Sequence, residues 1–279
     1  MNSVTTADVK KLHLPKVGSH KGQNGRLLII GGSHLFHAAS IWALEVASRI
    51  VDLVHYSSVP ENNEIVMEVK KQFRDGIVIP RDHIDEYIEE DDCVLIGPGM
   101  VRDSETETLT NTLLRKHASK QWVIDAGALQ MMDISLIPQN AILTPHHGEF
   151  RGLWEKCQMA NAKCPIEYPS DEDGVKWFAK HYRCIVLLKG QQDIAASPKE
   201  SRMIEGGNEG MTKGGTGDVL AGLIAALACK NDPFLATTAG SVINKTAGDE
   251  LYRVVGPFFN ASDLAAQIPK TMRWLVTGV

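Results

Sequence analysis

Residues 206–218 form a glycine-rich loop that delivers one carboxylate, Asp218, to the start of the apolar run 219–228. Glycines let backbone N–H groups approach an anion closely, and a helix N-terminus adds partial positive charge at the same place. Asp218 then stands beside that anion as a candidate base. The bland alternative is that Gly214, Gly215, Thr216, Gly217 and Asp218 only cap a buried helix, since Gly and Asp are both good N-cap residues. The number of glycines, and Asp218 being the last polar residue before the apolar run, favour the anion site.

Such a site needs a frame, and the rest of the chain supplies one. An apolar strand over 26–30 closes in Gly31-Gly32-Ser33, and helical spacing follows over 36–50, with small residues Ala38, Ala39 and Ser40 at its start. A buried strand, a glycine turn and a helix make one unit of an α/β fold. Further strands are predicted over 53–59, 64–69, 92–96, 122–124, 141–143 and 184–188, with helices over 105–117 and 174–181. Three of these strands end in Gly97-Pro98-Gly99, in Asp125-Ala126-Gly127-Ala128 and in Thr144-Pro145-His146-His147-Gly148-Glu149; a fourth runs into Lys189-Gly190-Gln191-Gln192-Asp193. In a mostly parallel sheet these polar ends gather on one rim, where α/β folds bind ligands. A lysine at such an end can reach a nucleotide phosphate. Segments 194–196 and 203–204 read as a hairpin leading into the glycine loop, and 233–254 and 262–275 read as helices with Asn260 or Ser262 as N-cap. Residues 1–25 read as a polar, turn-rich entry, and 161–174 as a surface loop whose acidic residues form a solvated face.

Composition narrows the function classes. The 279 residues are 43% hydrophobic, enough for one α/β domain spanning 1–279. The net charge of −5, from 29 Lys and Arg against 34 Asp and Glu, is scattered, which argues against a nucleic-acid surface. Five cysteines, with no C-x-x-C pair, read as reduced thiols. No apolar run is long enough to span a bilayer, and the expectation is a cytoplasmic protein without a membrane partner.

The string from Asn208 to Gly222 resembles the signature of the ADP- or ATP-dependent NAD(P)H-hydrate dehydratases, nicotinamide-nucleotide repair enzymes of the ribokinase-like superfamily. Agreement extends along nearly the whole chain, through Gly31-Gly32-Ser33, Ile96-Gly97-Pro98-Gly99, Asp125-Ala126-Gly127-Ala128, Leu143-Thr144-Pro145-His146, Gly148-Glu149, Leu188-Lys189-Gly190 and Ala261-Ser262-Asp263-Leu264. The resemblance implies a three-layer α/β/α sandwich with a mostly parallel central sheet. It implies Asp218 as catalytic base, and Ala39, Gly99 and His146 in contact with hydrated NADH or NADPH. Lys189, Gly190, Gln191, Gln192 and Asp193 would lie along the adenine nucleotide, with Gly214, Gly215, Thr216 and Gly217 on its phosphates. Glu149 and Asn208 would stand near the phosphates, Glu149 through Mg²⁺. The resemblance also implies a homo-oligomer, a tetramer in many relatives, and a separate epimerase as pathway partner, since no epimerase segment is expected in 1–279. The chain departs from the family pattern at Ala38-Ala39, Val51-Asp52, His147 and Asn244, which bears on substrate packing.

Two other functions use the same residues. A kinase of vitamin-precursor alcohols would share base and anion loop but stop at the phosphate ester. A nucleotide sensor would need the loop and not Asp218.

Overall fold

The computed structural model describes residues 2–3, 6–160, 164–165, 167–168 and 170–278. At its centre is a ten-stranded sheet in the order β1-β10-β9-β8-β7-β6-β5-β2-β3-β4. The strands are β1 (Asn2–Ser3), β2 (Arg26–Ile30), β3 (Leu53–Ser57), β4 (Ile77–Val78), β5 (Cys93–Ile96), β6 (Gln121–Ile124), β7 (Ile142–Leu143), β8 (Ile185–Leu188), β9 (Asp193–Ala196) and β10 (Ser201–Ile204). From β4 to β8 neighbouring strands pair parallel; β9 runs antiparallel to both β8 and β10. The expected hairpin is therefore present at one side of a parallel sheet.

The strands read as continuous apolar runs because both faces are covered. In β2, Leu27 and Ile29 enter one core while Leu28 and Ile30 enter the other. The first core is closed by α2 (Ala38–Ala47), α9 (Thr216–Ala228), α10 (Pro233–Val255) and α11 (Ala261–Thr277). The second lies under α4 (Ile84–Glu90), α5 (Ser104–Lys116), α6 (Ala126–Met131), α7 (His147–Ala160) and α8 (Asp171–Tyr182). The result is the expected three-layer α/β/α sandwich. Helix α9 is buried from Val219 to Ala228, so its polar N-terminal turn is the part left to face the rim. Asn260 caps α11 with a full capping box.

Three expectations give way. Residues 64–69, predicted as a strand, belong to helix α3 (Pro60–Val69), which starts with Pro60 at its first turn. Only Asn62 and Val66, four residues apart, are buried there, so the apparent alternation is one helical stripe. The polar entry contains α1 (Thr6–Val9), and Val9 and Leu12 reach the core. Helix α8 begins at Asp171 instead of Gly174, because Ser170 caps it and Asp171, Glu172 and Asp173 fill its first turn, where carboxylates favour the helix dipole. Residues 161–163, 166 and 169 of the expected loop lie outside the described residues.

All five cysteines are free and buried. Among the described residues no helix is long and apolar enough to cross a membrane.

Candidate active site

The strand order reverses between β2 and β5: the chain leaves β2 for β3 on one side and returns to β5 on the other. In open α/β sheets the crevice beyond the strand C-termini at such a point is where ligands bind. The two strand ends are locked together there, Gly97 N donating to Ile30 O (3.0 Å) and Gly32 N to Pro98 O (2.7 Å). Gly97 has φ +123°, and a Cβ on it would sit 1.8 Å from Asp125 O, so this turn can approach β6 only with glycine.

A cavity of about 450 Å³ opens at this rim. Ala39, Gly99, His146, Glu149 and Asp218 all line it, although they come from α2, the turn after β5, α7 with its approach, and α9. Phe36, Met100, Val101, Ala126 and Gly127 add apolar or small surface, and Arg102 and Gln130 add polar groups. Ala126 adopts φ +44°, an uncommon conformation for a residue with a Cβ.

Asp218 is in the first turn of α9 and half-buried. Its carboxyl is pushed up to about 7, first by burial and then by the Asp125 and Glu149 carboxylates, while Lys189 and a backbone N–H pull the other way. Asp125, at the end of β6, is buried and accepts hydrogen bonds from Thr144 Oγ1 (2.7 Å) and Lys189 Nζ (3.0 Å). Burial works against the Lys189 ammonium, but Asp125 and Glu149 more than offset it, and its pKa is raised. Lys189 Nζ is 3.5 Å from where a Cβ on Gly217 would be, so a cation stands beside the first turn of α9.

Glu149 is held by a reciprocal pair at the start of α7: His146 N donates to Glu149 Oε2 (2.9 Å) and Glu149 N donates to His146 Nδ1 (3.2 Å). Gln130 Nε2 donates to Glu149 Oε1 (2.9 Å). Among the described residues no group of three or more His, Cys, Asp and Glu is placed to hold a metal by itself.

The glycine loop divides into parts with different surroundings. Gly215 is the N-cap of α9 with φ +98°, and a Cβ there would lie 2.4 Å from the Trp42 ring. Gly214 meets nothing within 4 Å. The Thr216 hydroxyl is turned into the loop, donating to Met211 O (2.7 Å) and Lys213 O (2.9 Å). Asn208 likewise serves the loop, its Oδ1 accepting from Gly210 N (3.0 Å) and its Nδ2 donating to Asp249 (2.9 Å). In the segment after β8, Gln191 and Gln192 are exposed, whereas Asp193 is buried against Ser241 and Lys245.

Several residues at the rim carry no signal strong enough to be singled out from the chain alone. Asp125 and Thr144 sit in recognised motifs, but their contact with Lys189 is visible only in space. Lys245 and Asp249 share α10 with the charged Glu250 and Arg253, and nothing along the chain sets them apart. Of the departures, Asp52 accepts from Asn24 and closes the entry loop, His147 Nδ1 stands 3.1 Å from Asp171, and Asn244 is buried with its Oδ1 lacking a partner among the described residues.

The family model described as NAD(P)H-hydrate dehydratase matches residues 27–270. The chain is 35% identical to the bifunctional NAD(P)H-hydrate repair enzyme Nnr of Methanocaldococcus jannaschii, covering 95% of this chain and 52% of that protein, and so spans about half the length of this and similar curated relatives. It is 32% identical to the ADP-dependent (S)-NAD(P)H-hydrate dehydratase of Nitrosopumilus maritimus, covering 97% of this chain and 96% of that one. Its fold is similar to that of a ribokinase-like superfamily protein of Enterococcus faecalis (TM-score 0.84, 21% identity, 98% of this chain and 96% of that one). A similar fold is found in the ADP/ATP-dependent NAD(P)H-hydrate dehydratase of Bacillus subtilis co-crystallised with ATP and Mg²⁺ (TM-score 0.82, 23% identity, 98% of both chains). A match over most of the chain, on a ribokinase-like fold whose strand ends converge on Asp218, establishes that the chain belongs to the NAD(P)H-hydrate dehydratase family.

Proposed function

We propose that this protein dehydrates the S epimer of hydrated NADH or NADPH at the expense of an adenine nucleotide, restoring the dihydronicotinamide. The observation that carries the reading is the position of Asp218, which lines the rim cavity and also belongs to the first turn of the helix that would hold a phosphate.

The chemistry follows from that position. Asp218 takes the proton of the substrate hydroxyl as the oxygen attacks the terminal phosphorus of the nucleotide, and the bond from that phosphorus to the departing nucleotide breaks. A carboxyl pushed up to about 7 suits a general base near neutral pH. The amides of Gly217 and Asp218 and the Lys189 ammonium stabilise charge on the transferring phosphoryl group. The lone pair of the ring nitrogen then expels phosphate from the adjacent carbon, and loss of a proton from the next ring carbon restores the dihydronicotinamide double bond. ADP becomes AMP, or ATP becomes ADP, and phosphate is released.

Ala39, Gly99 and His146 bound the nicotinamide side, and Lys189, Gly190, Gln191, Gln192 and Asp193 the nucleotide side, with Gly214, Gly215 and Thr216 shaping the phosphate loop. Mg²⁺ fits here as a phosphate-bound ion: Mg²⁺ commonly keeps one or two carboxylates plus substrate phosphates, and Glu149 supplies a carboxylate that faces the cavity. It would neutralise phosphate charge. Asn208 acts through the loop it caps. The same proposal covers residues 1–279 as one ribokinase-like domain in the cytoplasm and an epimerase partner that interconverts the two hydrates. It extends to self-association, which exposed Val254 and Phe258 support and a solution mass measurement tests.

The experiment is hydrated NADH incubated with ADP and with ATP in parallel. Recovery of dihydronicotinamide absorbance with release of phosphate is the expected result, with ADP the better donor, as in the name of the N. maritimus relative. A phosphorylated alcohol that persists would assign the site to a kinase instead, and no nucleotide turnover with any hydrated cofactor would assign it to a sensor.

A further inference from the structure

Helix α10 carries three polar side chains at four-residue intervals, Ser241, Lys245 and Asp249. That spacing puts them on one face of the helix. Each is bonded to a loop that the proposed function places around the nucleotide. Ser241 Oγ donates to Asp193 Oδ2 (2.7 Å), and Asp193 Oδ1 accepts from Gly190 N (2.9 Å). Lys245 Nζ donates to the carbonyls of Gly190 (3.1 Å), Gln191 (3.1 Å) and Gly206 (3.0 Å), and stands 3.3 Å from Asp193 Oδ1. Asp249 accepts from Gly207 N (3.1 Å) and from Asn208 Nδ2 (2.9 Å).

The two loops come from different parts of the chain. One follows β8 and begins at Lys189; the other follows β10 and ends at Asp218. Lys245, only 6% exposed, is bonded to both. A buried charge set of this kind adds little net stability over an apolar replacement of the same volume. Its effect is geometric, since an ammonium bonded to carbonyls of both loops fixes their separation. The same separation sets the distance between the Lys189 ammonium and the amides at Gly217.

Resting on the reading that these loops bound the nucleotide, we propose that Lys245 is a positioning residue for nucleotide binding: its ammonium clamps the 190–191 and 206–207 backbones together, with Ser241 and Asp249 fixing the two sides. Lys245 touches no reacting atom and acts through the loops.

The test uses Lys245→Met, which keeps an apolar stem without the charge, Lys245→Ala, which opens the space, and Ser241→Ala, a milder change. Adenine nucleotide Kd by calorimetry is measured beside steady-state kinetics with hydrated NADH. Loss of charged hydrogen bonds predicts that nucleotide Kd and KM rise about tenfold or more in both lysine variants, with KM for hydrated NADH unchanged. Ser241→Ala raises nucleotide Kd roughly fivefold. Methylammonium restores most of the nucleotide affinity in Lys245→Ala and none in Lys245→Met, where the stem fills the site. Wild-type nucleotide Kd in Lys245→Met overturns the proposal. So does equal weakening toward both substrates without rescue in Lys245→Ala, because that is the signature of a merely structural lysine. If the lysine variants do not fold, wild-type nucleotide Kd in Ser241→Ala overturns it. A wild-type protein that binds nucleotide but leaves hydrated NADH unchanged rejects the dehydratase reading while the calorimetry still decides the clamp. One that binds no adenine nucleotide rejects both.

Discussion

Lys189 Nζ lies 3.0 Å from Asp125 Oδ1, and both groups act on the same third residue, Asp218. Asp125 discourages ionisation of Asp218 and Lys189 encourages it, while burial, the largest influence, discourages it. The strand ends of β6 and β8 thus hold two opposite charges beside the first turn of α9. One ion pair thus acts on the Asp218 carboxyl from both directions of charge.

If Asp218 is the base, Asp218→Asn keeps the shape of the side chain and loses its proton-accepting power. Turnover is expected to fall about 10²–10⁴-fold, the range for general-base catalysis, with adenine nucleotide Kd little changed. Steady-state rates and calorimetry on the same preparation check this; turnover near that of the wild type removes Asp218 from the role.

The pH dependence has a defined sign. With the Asp218 carboxyl near 7 in the free protein, kcat/KM is expected to rise as pH climbs through about 7 and the base becomes ionised. The charged groups acting on it are Asp125 from β6, Glu149 from α7 and Lys189 from β8. In Asp125→Asn one like charge is gone, so the acidic limb of the kcat/KM profile should move to lower pH, alongside weaker nucleotide binding from the released Lys189. A limb that stays in place, with only a uniform drop in rate, shows that Asp125 does not tune the base.

Stability carries the same signature with the opposite sense. The folded carboxyl of Asp218 is raised above its ordinary value of 3.8 to about 7, so the folded state binds the proton more tightly. The stabilising effect of that proton is complete below about pH 4 and is lost as pH rises through 7. Asp218→Asn should therefore raise Tm relative to wild type at pH 8 and have little effect at pH 4. Thermal melts at the two pH values decide it.

Two adjacent glycines should separate structure from function. Gly215→Ala places a methyl 2.4 Å from Trp42 on a backbone with φ +98°, and overpacking of this kind costs about 1–3 kcal/mol before the backbone strain is added. A clear fall in Tm is expected. Gly214→Ala meets nothing within 4 Å and should leave Tm unchanged; if the loop receives phosphate at Gly214, nucleotide Kd rises in this variant without a fall in Tm. Chemical denaturation and calorimetry on both variants make the comparison.

Much of the frame was legible from the chain itself. Runs such as 26–30, 92–96 and 184–188 read as buried strands, each stopping in a turn or polar segment that marks its C-terminal end, and the strands form within one residue of those bounds. Segment 64–69 was misread because a short stretch with isolated apolar residues satisfies two periods at once, and Pro60, which decides it, lies before the stretch. The glycine loop was legible as the entry to a helix carrying a carboxylate in its first turn because glycine, a helix start and a carboxylate are local properties. Ala39, Gly99 and His146 were placed in one cavity with Asp218 by the packing of α2, the turn after β5 and the approach to α7.

What the sequence by itself determined is therefore most of the strands and helices, where the buried strands end, and which loop carries the carboxylate. These depend on residues near one another in the chain. Only the tertiary structure decided that Asp125 meets Lys189 across 64 residues, and that Lys245 reaches Gly190 across 55 and Gly206 across 39. Those contacts arise when parallel strands align their ends and α10 lies against two loops, and Coulomb interactions and hydrogen bonds act over distance in space, whatever the separation along the chain.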